Sequence, residues 1–448
     1  MLLLVHSKEM TVATADLVAL IKAAATEAAA HQERFAAEDT ESRKIVDIME
    51  HFLRGQKRVV YGGAAINAHM PADKKFYDPT LNLPDYDFMT PDPFQDCADL
   101  ITAFQADGFT DVEAKFGIHD GTYKIYVNYR SAADVTYMPP EIYKRIMADS
   151  EVIQGIRYAS ANYLRMNMYL ELSRPAGDVS RWEKVYARLL LLNEVKPLRP
   201  GHCVQNPLLA LAAVPKGESG ESMEAIESEL YWRIVDAGIY ADAVFLSGAS
   251  LLKDRQPNTT DPVLLMTDTP VALHRSLKKL GLKAKEYPAM GELLPARVEF
   301  YTSVNPVNNP VNPVAVVFET EVCHAYTTLA EPKGYRLASL DLLIQMYYAL
   351  YFVGLQDYVG VRLLCVIHAL IELESERRRS AARIYKKTKG KGKTKEKSQF
   401  EIHDVFPLDC IGHQPTLPEL KKSHRERYAA KKQELQKALR FRNRITQK

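Results

Sequence analysis

Two aspartates, Asp85 and Asp87, flank a single tyrosine in a short stretch that ends in apolar residues. Side chains two residues apart on a β-strand point to the same face, so a strand here would present two carboxylates side by side. An Asp-x-Asp pair taken alone is more often part of a solvated turn than of a catalytic site. A catalytic interpretation therefore needs further residues.

Two neighbouring features supply them. Gly62 and Gly63 lie between a β-branched run and a helix-like segment, and such a turn can bring backbone N–H groups close to phosphate oxygens. Asp134 opens a later strand-like stretch. Mg²⁺ prefers carboxylate oxygens, and two such ions about 3.5–4 Å apart can stabilise the attacking and leaving oxygens of an in-line displacement. The three aspartates and the glycine turn together predict a two-metal site.

The elements that must position these residues are visible in the hydrophobic pattern. Apolar residues recur at helical spacing through residues 11–54, which predicts amphipathic helices. A β-branched run at 59–61, alternation at 123–129 and the stretch from Asp134 predict strands. This order fits an α+β protein with a mostly antiparallel sheet and flanking helices.

A later segment repeats this arrangement. Residues 244–252 resemble residues 59–67, and the similarity continues through 265–267 to a helix that ends at Gly281. In this register Pro262 and Leu264 fall where Asp85 and Asp87 lie in the first copy. The sequence therefore predicts an internal duplication whose second copy lacks the pair of carboxylates.

The net charge of +2 hides two opposite parts of the chain. Residues 376–448 contain 22 Lys and Arg against 8 Asp and Glu, which leaves the preceding residues with a net charge of −12. Mobile basic segments bind phosphate backbones without sequence preference, so this segment predicts RNA binding. A solubilising linker is the alternative.

Five cysteines without a Cys-x-x-Cys pair or zinc-type spacing predict reduced thiols in a reducing compartment. No stretch approaches the ~20 apolar residues of a membrane-spanning helix. These features predict a soluble, intracellular protein.

The motifs resemble the nucleotidyltransferase superfamily typified by DNA polymerase beta. Within it they are most similar to the poly(A) polymerase catalytic subunit of large nucleocytoplasmic DNA viruses, of the giant-virus and poxvirus type. The segments that carry the resemblance are residues 61–67, 85–90, 134–139 and 168–175, with further similarity at 181–184 and 410–414. The resemblance implies a polymerase beta-like mixed sheet with flanking helices and a second, degenerate nucleotidyltransferase-like domain.

The resemblance also implies roles for the predicted site. Asp85 and Asp87 would hold two Mg²⁺ or Mn²⁺ ions, and Asp134 would bind the ion that lowers the pKa of the primer 3′-hydroxyl. Gly62 and Gly63 would bind the triphosphate of ATP. The implied reaction is template-independent transfer of AMP from ATP to the 3′-hydroxyl of mRNA, with release of pyrophosphate.

Arg181 and Lys184 are further candidates for nucleotide binding, although a solvated helix face would explain them equally well. Two other functions compete with poly(A) synthesis. One is another RNA nucleotidyltransferase of the tRNA-end or oligoadenylate type, and the other is a catalytically silent RNA-binding scaffold subunit.

Four parts of the chain are expected. They are a helical N-terminal region at 1–54, a catalytic domain at 55–200, a degenerate domain with helices at 201–375, and a basic low-complexity segment with a terminal helix at 376–448. The expected partners are the 3′ end of mRNA and ATP, with either a homodimer or a methyltransferase-type processivity subunit and no membrane. The expected location is the host cytoplasm, at the viral factory, and the virion.

Overall fold

The structure is a computed structural model of the 448-residue chain. It describes residues 2–77, 84–117, 119, 121–204, 207, 221–246, 262–302, 313–329, 335–355, 362–390, 402–422, 425–426, 428–429 and 432–433. In this described part of the chain, no helix combines the length and the apolar character needed to cross a membrane.

The chain divides into two compact units. The first unit contains Met1–Gly117, Thr122–Thr136 and Glu151–Tyr158, and the second contains Ile118–Gly121, Tyr137–Ser150 and Ala159–Lys448. The second compact unit therefore includes the chain from Ala159 onward, whereas the predicted boundary between the catalytic and the degenerate domain lies at residue 200. The four predicted domains stay predictions.

The first unit contains four α-helices, one short 3-10 helix (Ala72–Lys74) and seven strands among its described residues. The helices are α1 (Leu2–Glu38), α2 (Thr40–Gln56), α3 (Gly62–Ala68) and α4 (Pro93–Ala106). The strands are β1 (Val59–Tyr61), β2 (Tyr86–Thr90), β3 (Val112–Phe116), β4 (Thr122–Val127), β5 (Arg130–Tyr137), β6 (Glu151–Ile153) and β7 (Ile156–Tyr158). The helices predicted over 11–54 and the strands predicted at 59–61 and within 123–129 are confirmed, whereas the strand predicted from Asp134 begins earlier, at Arg130.

The seven strands form one sheet in the order β3-β4-β5-β2-β1-β7-β6. β1 lies antiparallel to β2 and parallel to β7, so the sheet is mixed. The β-branched Val59 and Val60 are fully buried in this central strand. Because β1 and β2 are adjacent, the glycine turn that follows β1 lies beside Asp87 of β2.

Helix α2 packs against β2. Its N-terminus is capped by Asp39, whose side chain accepts a hydrogen bond from the Ser42 N–H. Its buried Phe52 packs against Phe88 with ring centroids 5.8 Å apart. Burial of two such rings contributes about 2 kcal/mol each, which holds the strand that carries the aspartates in place.

The second unit contains the remaining elements of the described chain. Its helices are α5 (Pro140–Asp149), α6 (Ala161–Leu172), α7 (Trp182–Val195), α8 (Glu221–Tyr240), α9 (Pro270–Lys279), α10 (Leu340–Val353) and α11 (Leu363–Gly390). Its strands are β8 (Val244–Phe245), β9 (Val263–Thr267), β10 (Lys283–Tyr287), β11 (Ala296–Tyr301), β12 (Ala315–Glu319), β13 (His324–Thr328), β14 (Arg336–Ala338) and β15 (Cys410–Ile411).

The second sheet repeats the topology of the first. Its order is β10-β11-β12-β9-β8-β14-β13-β15, which matches the first sheet strand for strand and adds β15 at the edge. The orientations also agree, since β8 is antiparallel to β9 and parallel to β14, as β1 is to β2 and β7. The predicted internal duplication is confirmed by this repeated strand order.

The register of the two copies agrees as well. Val59 pairs with Met89 and Tyr61 with Asp87, whereas Val244 pairs with Met266 in the second copy. The next residue of that copy, Leu246, donates its N–H to the carbonyl of Leu264 at 2.9 Å. Leu264 therefore lies where Asp87 lies in the first copy, and Pro262 precedes it by two residues, as predicted. The glycine turn of this copy, around Gly248, lies outside the described residues.

The face of the second sheet that carries Leu264 is interior. Leu264 is 2 % exposed and its neighbour Val316 on β12 is fully buried. Tyr347 of α10 donates its hydroxyl to the carbonyl of Leu246 at 3.1 Å. Aliphatic side chains and a helix thus fill the position that the aspartates occupy in the first unit.

The basic run Arg377-Arg378-Arg379 lies inside a helix, not in a solvated tract. Helix α11 continues to Gly390, and the Arg378 side chain within it is only 6 % exposed. Its guanidinium donates to Asp341 at 2.6 Å and pairs with Glu374. The prediction that this run belongs to a mobile segment is wrong for Arg378. Residues 391–401 lie outside the described part, and the predicted terminal helix is described only in part from Lys421 onward.

Four of the five cysteines form disulfides, so the prediction of five reduced thiols is wrong. Cys203 is joined to Cys365, with Cα atoms 5.6 Å apart, and Cys323 is joined to Cys410, with Cα atoms 5.3 Å apart. Sequence spacing did not indicate these pairs because 162 and 87 residues separate the partners. Cys97 stays a buried thiol, and burial raises its pKa to about 12.

Candidate active site

The glycine turn after β1 presses against an aspartate of β2. Gly62 has φ +69°, a left-handed conformation that residues with a side chain adopt at a cost. A Cβ atom added to Gly62 would lie 2.3 Å from Oδ2 of Asp87. The turn thus requires glycine for two reasons, its backbone conformation and its contact with the Asp87 carboxylate. Gly63 follows it in the first turn of α3.

The two aspartates of the Asp-x-Asp pair flank a tyrosine that points to the other face of the sheet. Asp87 is half-buried on β2, and Asp85 is exposed directly before the strand. Tyr86 is buried and donates its hydroxyl to Oε1 of Glu50 on α2 at 2.7 Å. Burial raises the pKa of Tyr86 well above its usual range, with the Glu50 carboxylate adding to this effect, so Tyr86 stays a neutral donor. This anchor leaves the aspartates on the opposite face.

Asp134 lies on β5, which is the neighbour of β2 in the sheet. It faces Lys124 of β4 across the hairpin, and Nζ of Lys124 lies 2.7 and 2.6 Å from the two carboxylate oxygens of Asp134. Burial alone would lower the pKa of Lys124, but the hydrogen bonds that its ammonium donates to Asp134 and the charges of Asp134 and Asp85 raise the pKa above its usual value. Lys124 is therefore a full cation held among the carboxylates.

A chain of hydroxyl groups continues from Asp134 along the same face. Thr136, two residues beyond Asp134 on β5, has its Oγ1 2.9 Å from the hydroxyl of Tyr61 and 2.9 Å from Oγ1 of Thr122. Tyr61 is the last residue of β1 and pairs with Asp87. These contacts connect the three strands that carry the glycine turn, the Asp-x-Asp pair and Asp134.

The donor set fits the divalent cations that the sequence predicts. Carboxylate oxygens are the ligands preferred by Mg²⁺ and Mn²⁺. The ammonium group of Lys124, bound by both oxygens of Asp134, marks a place on this face that accepts positive charge. Within the described ranges, however, no three His, Cys, Asp or Glu side chains are gathered into a metal site. Metal binding by Asp85, Asp87 and Asp134 stays a prediction.

The two predicted basic contacts lie in the second unit, at the beginning of α7. Arg181 pairs with Glu171, with Nε 3.2 Å from Oε2, and both side chains are largely solvent-exposed. Lys184 is exposed on the next helical turn. A nucleotide-binding role for Arg181 and Lys184 stays a prediction, as does the alternative of a solvated helix face.

The sequence did not indicate Lys124, Thr122 or Thr136 as members of the site. Their positions depend on the register of the β4–β5 hairpin, which shifts between Ile125 and Tyr126. The hairpin turn contains Asn128 and Tyr129, both with positive φ, so no glycine marks it. Alternation of polar residues on β4 is the signal that could have found Lys124 and Thr122.

Comparison with known proteins agrees with this geometry. Residues 47–178 match the family model described as poly(A) polymerase catalytic subunit, a range that contains all three aspartates and both glycines. A protein of Acanthamoeba polyphaga mimivirus assigned as such a subunit is 32% identical over 165 residues, which is 35% of this chain and 27% of the relative. A protein of African swine fever virus (strain Badajoz 1971 Vero-adapted) with the same assignment is 25% identical over 159 residues, or 34% of this chain and 33% of the relative.

The alignments thus span about a third or less of these two relatives. A much larger part of the chain is similar in structure to the Megavirus polyadenylate synthase, with a TM-score of 0.67 and 18% identity over 92% of this chain and 83% of that chain. At this identity the likeness concerns the fold alone. Segment 47–178 is thus similar to the poly(A) polymerase catalytic subunit family, and most of the chain shares the fold of the Megavirus polyadenylate synthase.

Proposed function

We propose that this protein is a template-independent poly(A) polymerase, which transfers AMP from ATP to the 3′-hydroxyl of mRNA and releases pyrophosphate. The observation that carries the proposal is the face of the first sheet on which Gly62 contacts Asp87 and Asp134 lies on the neighbouring strand. This face combines a side-chain-free turn with three carboxylates, which is what nucleotidyl transfer requires.

The residues of this face have separate tasks in the proposed reaction. The backbone N–H groups at Gly62 and Gly63 bind phosphate oxygens of ATP, because no side chain blocks their approach. Asp85, Asp87 and Asp134 hold two divalent cations, Mg²⁺ or Mn²⁺. Bound there, the cations supply charge stabilisation for the phosphates and activation of the 3′-hydroxyl. The carboxylates fix the positions of these charges before reaction, so catalysis is mainly electrostatic.

Lys124 neutralises Asp134 when the carboxylates have no cation. Three carboxylates on one face repel each other, and the ammonium group at 2.6 Å offsets part of that repulsion. Its four-carbon stem is flexible, so Nζ can leave Asp134 when a divalent ion binds. Lys124 thus prepares Asp134 to exchange one cation for another.

The proposal is tested by incubating the purified chain with an RNA primer, Mg²⁺ and labelled ATP or CTP. Long tails with ATP and an unmodified primer with CTP are expected. Asp87→Ala should abolish tailing without loss of RNA binding. Asp99→Ala, which removes an acidic side chain of α4 outside the site, is the matched control and should leave tailing unchanged.

Other outcomes identify the competing functions. Addition of a few C and A residues to tRNA ends would indicate a tRNA-end enzyme, and short products made from ATP without a primer would indicate an oligoadenylate enzyme. RNA binding without any incorporation, by the intact chain and by Asp87→Ala alike, would indicate a scaffold subunit and contradict the proposal.

The finer features of the proposal concern assembly and location. A homodimer and a complex with a methyltransferase-type processivity subunit are both still predictions, and size-exclusion chromatography with light scattering distinguishes them for the isolated chain. The expected location in the host cytoplasm and in the virion is tested by immunolabelling of infected cells and by proteomics of purified virions.

A further inference from the structure

One surface of the second unit is strongly basic. Helix α9 and strand β10 together carry Arg275, Lys278, Lys279, Lys283 and Lys285, and all five side chains are exposed. Glu286 is the one acidic residue between 269 and 287. The five residues, called here the α9–β10 basic surface, lie on consecutive elements of one compact unit.

These charges have few partners. Among the residues that the structure describes, Arg275, Lys278, Lys279 and Lys283 form no ion pair. Lys285 packs on the ring of Tyr287, with Nζ 4.8 Å from the centroid. Unpaired like charges on neighbouring elements repel one another and stabilise nothing within the fold. Their grouping therefore points to an external anion.

The buried Arg297, next to this surface, already has an ion-pair partner. Arg297 of β11 packs against the ring of Tyr287 at 4.2 Å, and its Nε lies 3.2 Å from Oε1 of Glu299. Both side chains are nearly fully buried. This pair holds Tyr287 and the edge strand β10 in place. Of the exposed lysines of the α9–β10 basic surface, Lys285 contacts Tyr287, whereas Lys278, Lys279 and Lys283 stay available to solvent.

The internal duplication supplies a control for this surface. Helix α4 and strand β3 occupy the equivalent places in the first sheet. The segment 92–116 that contains them has six acidic residues and one lysine, whereas 269–287 has five basic residues and one acidic residue. The same scaffold therefore folds with either sign of charge, so the basic character of the second copy is not a requirement of the fold.

We propose that the α9–β10 basic surface binds the phosphate backbone of single-stranded RNA. Lysines and arginines that neutralise phosphates release bound counterions, which gives affinity without sequence preference. That property suits a tail that grows by one identical nucleotide at a time. The choice of RNA as the polyanion rests on the proposed function. The second copy, which has no carboxylates at the positions of Asp85 and Asp87, would thus hold RNA instead of reacting with it.

The test measures RNA binding by the full chain in EDTA and without ATP, so that catalysis does not contribute. Fluorescence anisotropy with a fluorescein-labelled, unstructured 20-nucleotide RNA is recorded from 50 to 300 mM KCl. The test variant reverses four charges: K278E, K279E, K283E and K285E. The control variant reverses four exposed charges elsewhere: K22E, K57E, K144E and R233E.

For the test variant, Kd at 100 mM KCl should rise about tenfold or more relative to the control variant. The slope of log K against log [salt] should decrease by about 3, since each phosphate contact on a single strand contributes about 0.7. Equal effects in both variants, or an unchanged slope in the test variant, would overturn the proposal. If the fourfold variant does not fold, K278E/K279E and K283E/K285E are measured separately, each with about half the change in slope.

Competition distinguishes RNA from an acidic protein partner. Polyglutamate should displace the labelled RNA only weakly. If the test variant loses polyglutamate binding and keeps RNA binding, the surface serves an acidic protein and the proposal fails. This binding test and the tailing assay fail independently. A chain without tailing activity can still lose RNA binding in the test variant, and a chain with tailing activity can keep RNA binding in the test variant.

Discussion

A methyl group added to Gly62 would lie 2.3 Å from Oδ2 of Asp87, so the glycine turn and the Asp-x-Asp pair are in direct contact. The two residues are 25 positions apart in the chain, and the antiparallel pairing of β1 with β2 brings them together. Substitution of the glycine is therefore a way to disturb the carboxylate without changing it.

Gly62→Ala should reduce tailing about 10²-fold, because the added methyl group forces Asp87 out of its position. It should also lower the free energy of unfolding by about 1 kcal/mol, since alanine is strained at φ +69°. The matched control is Gly108→Ala, where φ is +94° and an added Cβ meets no atom within 4 Å. Comparable loss of activity in both variants would contradict the role of the Gly62–Asp87 contact.

Lys124→Met should make the fold depend on divalent ions. In EDTA the variant should melt at a lower temperature than the unsubstituted chain, because Asp134 loses a bidentate partner worth about 1 kcal/mol at this half-buried site. Addition of Mg²⁺ should restore most of the difference. Calorimetric titration with Mn²⁺, without ATP or RNA, should show tighter binding, since no ammonium competes for Asp134. The control is Lys115→Met, which breaks an exposed ion pair with Glu113 at 2.6 Å on the same sheet. It should change neither the melting temperature in EDTA nor the affinity for Mn²⁺.

Acidification should destabilise the second unit through His324. Burial lowers the pKa of this histidine to about 3, and the charge of Arg174 contributes to the effect. In the unfolded chain His324 has a pKa near 6.5 and binds a proton that it does not bind in the folded chain at the same pH. The free energy of unfolding therefore decreases as the pH falls below about 6.5. Between pH 7.5 and pH 5 the contribution of His324 to this loss should be about 2 kcal/mol, taken as the difference between the unsubstituted chain and His324→Gln.

Denaturant unfolding at the two pH values measures this loss. His324→Gln should remove most of the difference, whereas His403→Gln, at an exposed histidine, should leave it unchanged. A pH dependence that persists in His324→Gln would assign it to another group.

Thiol titration tests the two disulfides directly. A protein denatured without reductant should react with one equivalent of a thiol reagent, at Cys97, and a reduced protein with five. Each bridge closes a long loop, 162 residues for Cys203–Cys365 and 87 for Cys323–Cys410, so removal of either should cost about 4 kcal/mol. Five reactive thiols before reduction would support reduced cysteines, as the sequence predicts.

Much of the site could be predicted from the sequence because its parts are local. Gly62-Gly63 and Asp85-Tyr86-Asp87 are short motifs whose spacing fixes which side chains share a face. The duplication was also predictable, since the similarity of 244–252 to 59–67 sets the register that places Leu264 opposite Leu246.

The contacts that depend on long-range packing were not predictable. Lys124 reaches Asp134 only through the shifted register of the β4–β5 hairpin. Arg378 looks like part of a basic tract because its neighbours in sequence are arginines, yet Asp341, 37 residues away, makes it a buried ion pair. The hydrophobic periodicity of a sequence indicates which face of a helix a residue occupies, but not which side chain it contacts there.

The buried position of Leu264 has an evolutionary consequence. Reversion of Pro262 and Leu264 to aspartate would put a charge against fully buried Val316 and beside the carbonyl that already accepts the Tyr347 hydroxyl. Such a revertant would lose several kcal/mol of stability before it could gain any ligand. The core of the second copy thus disfavours a return of the carboxylates, whereas its outer surface can change without this cost.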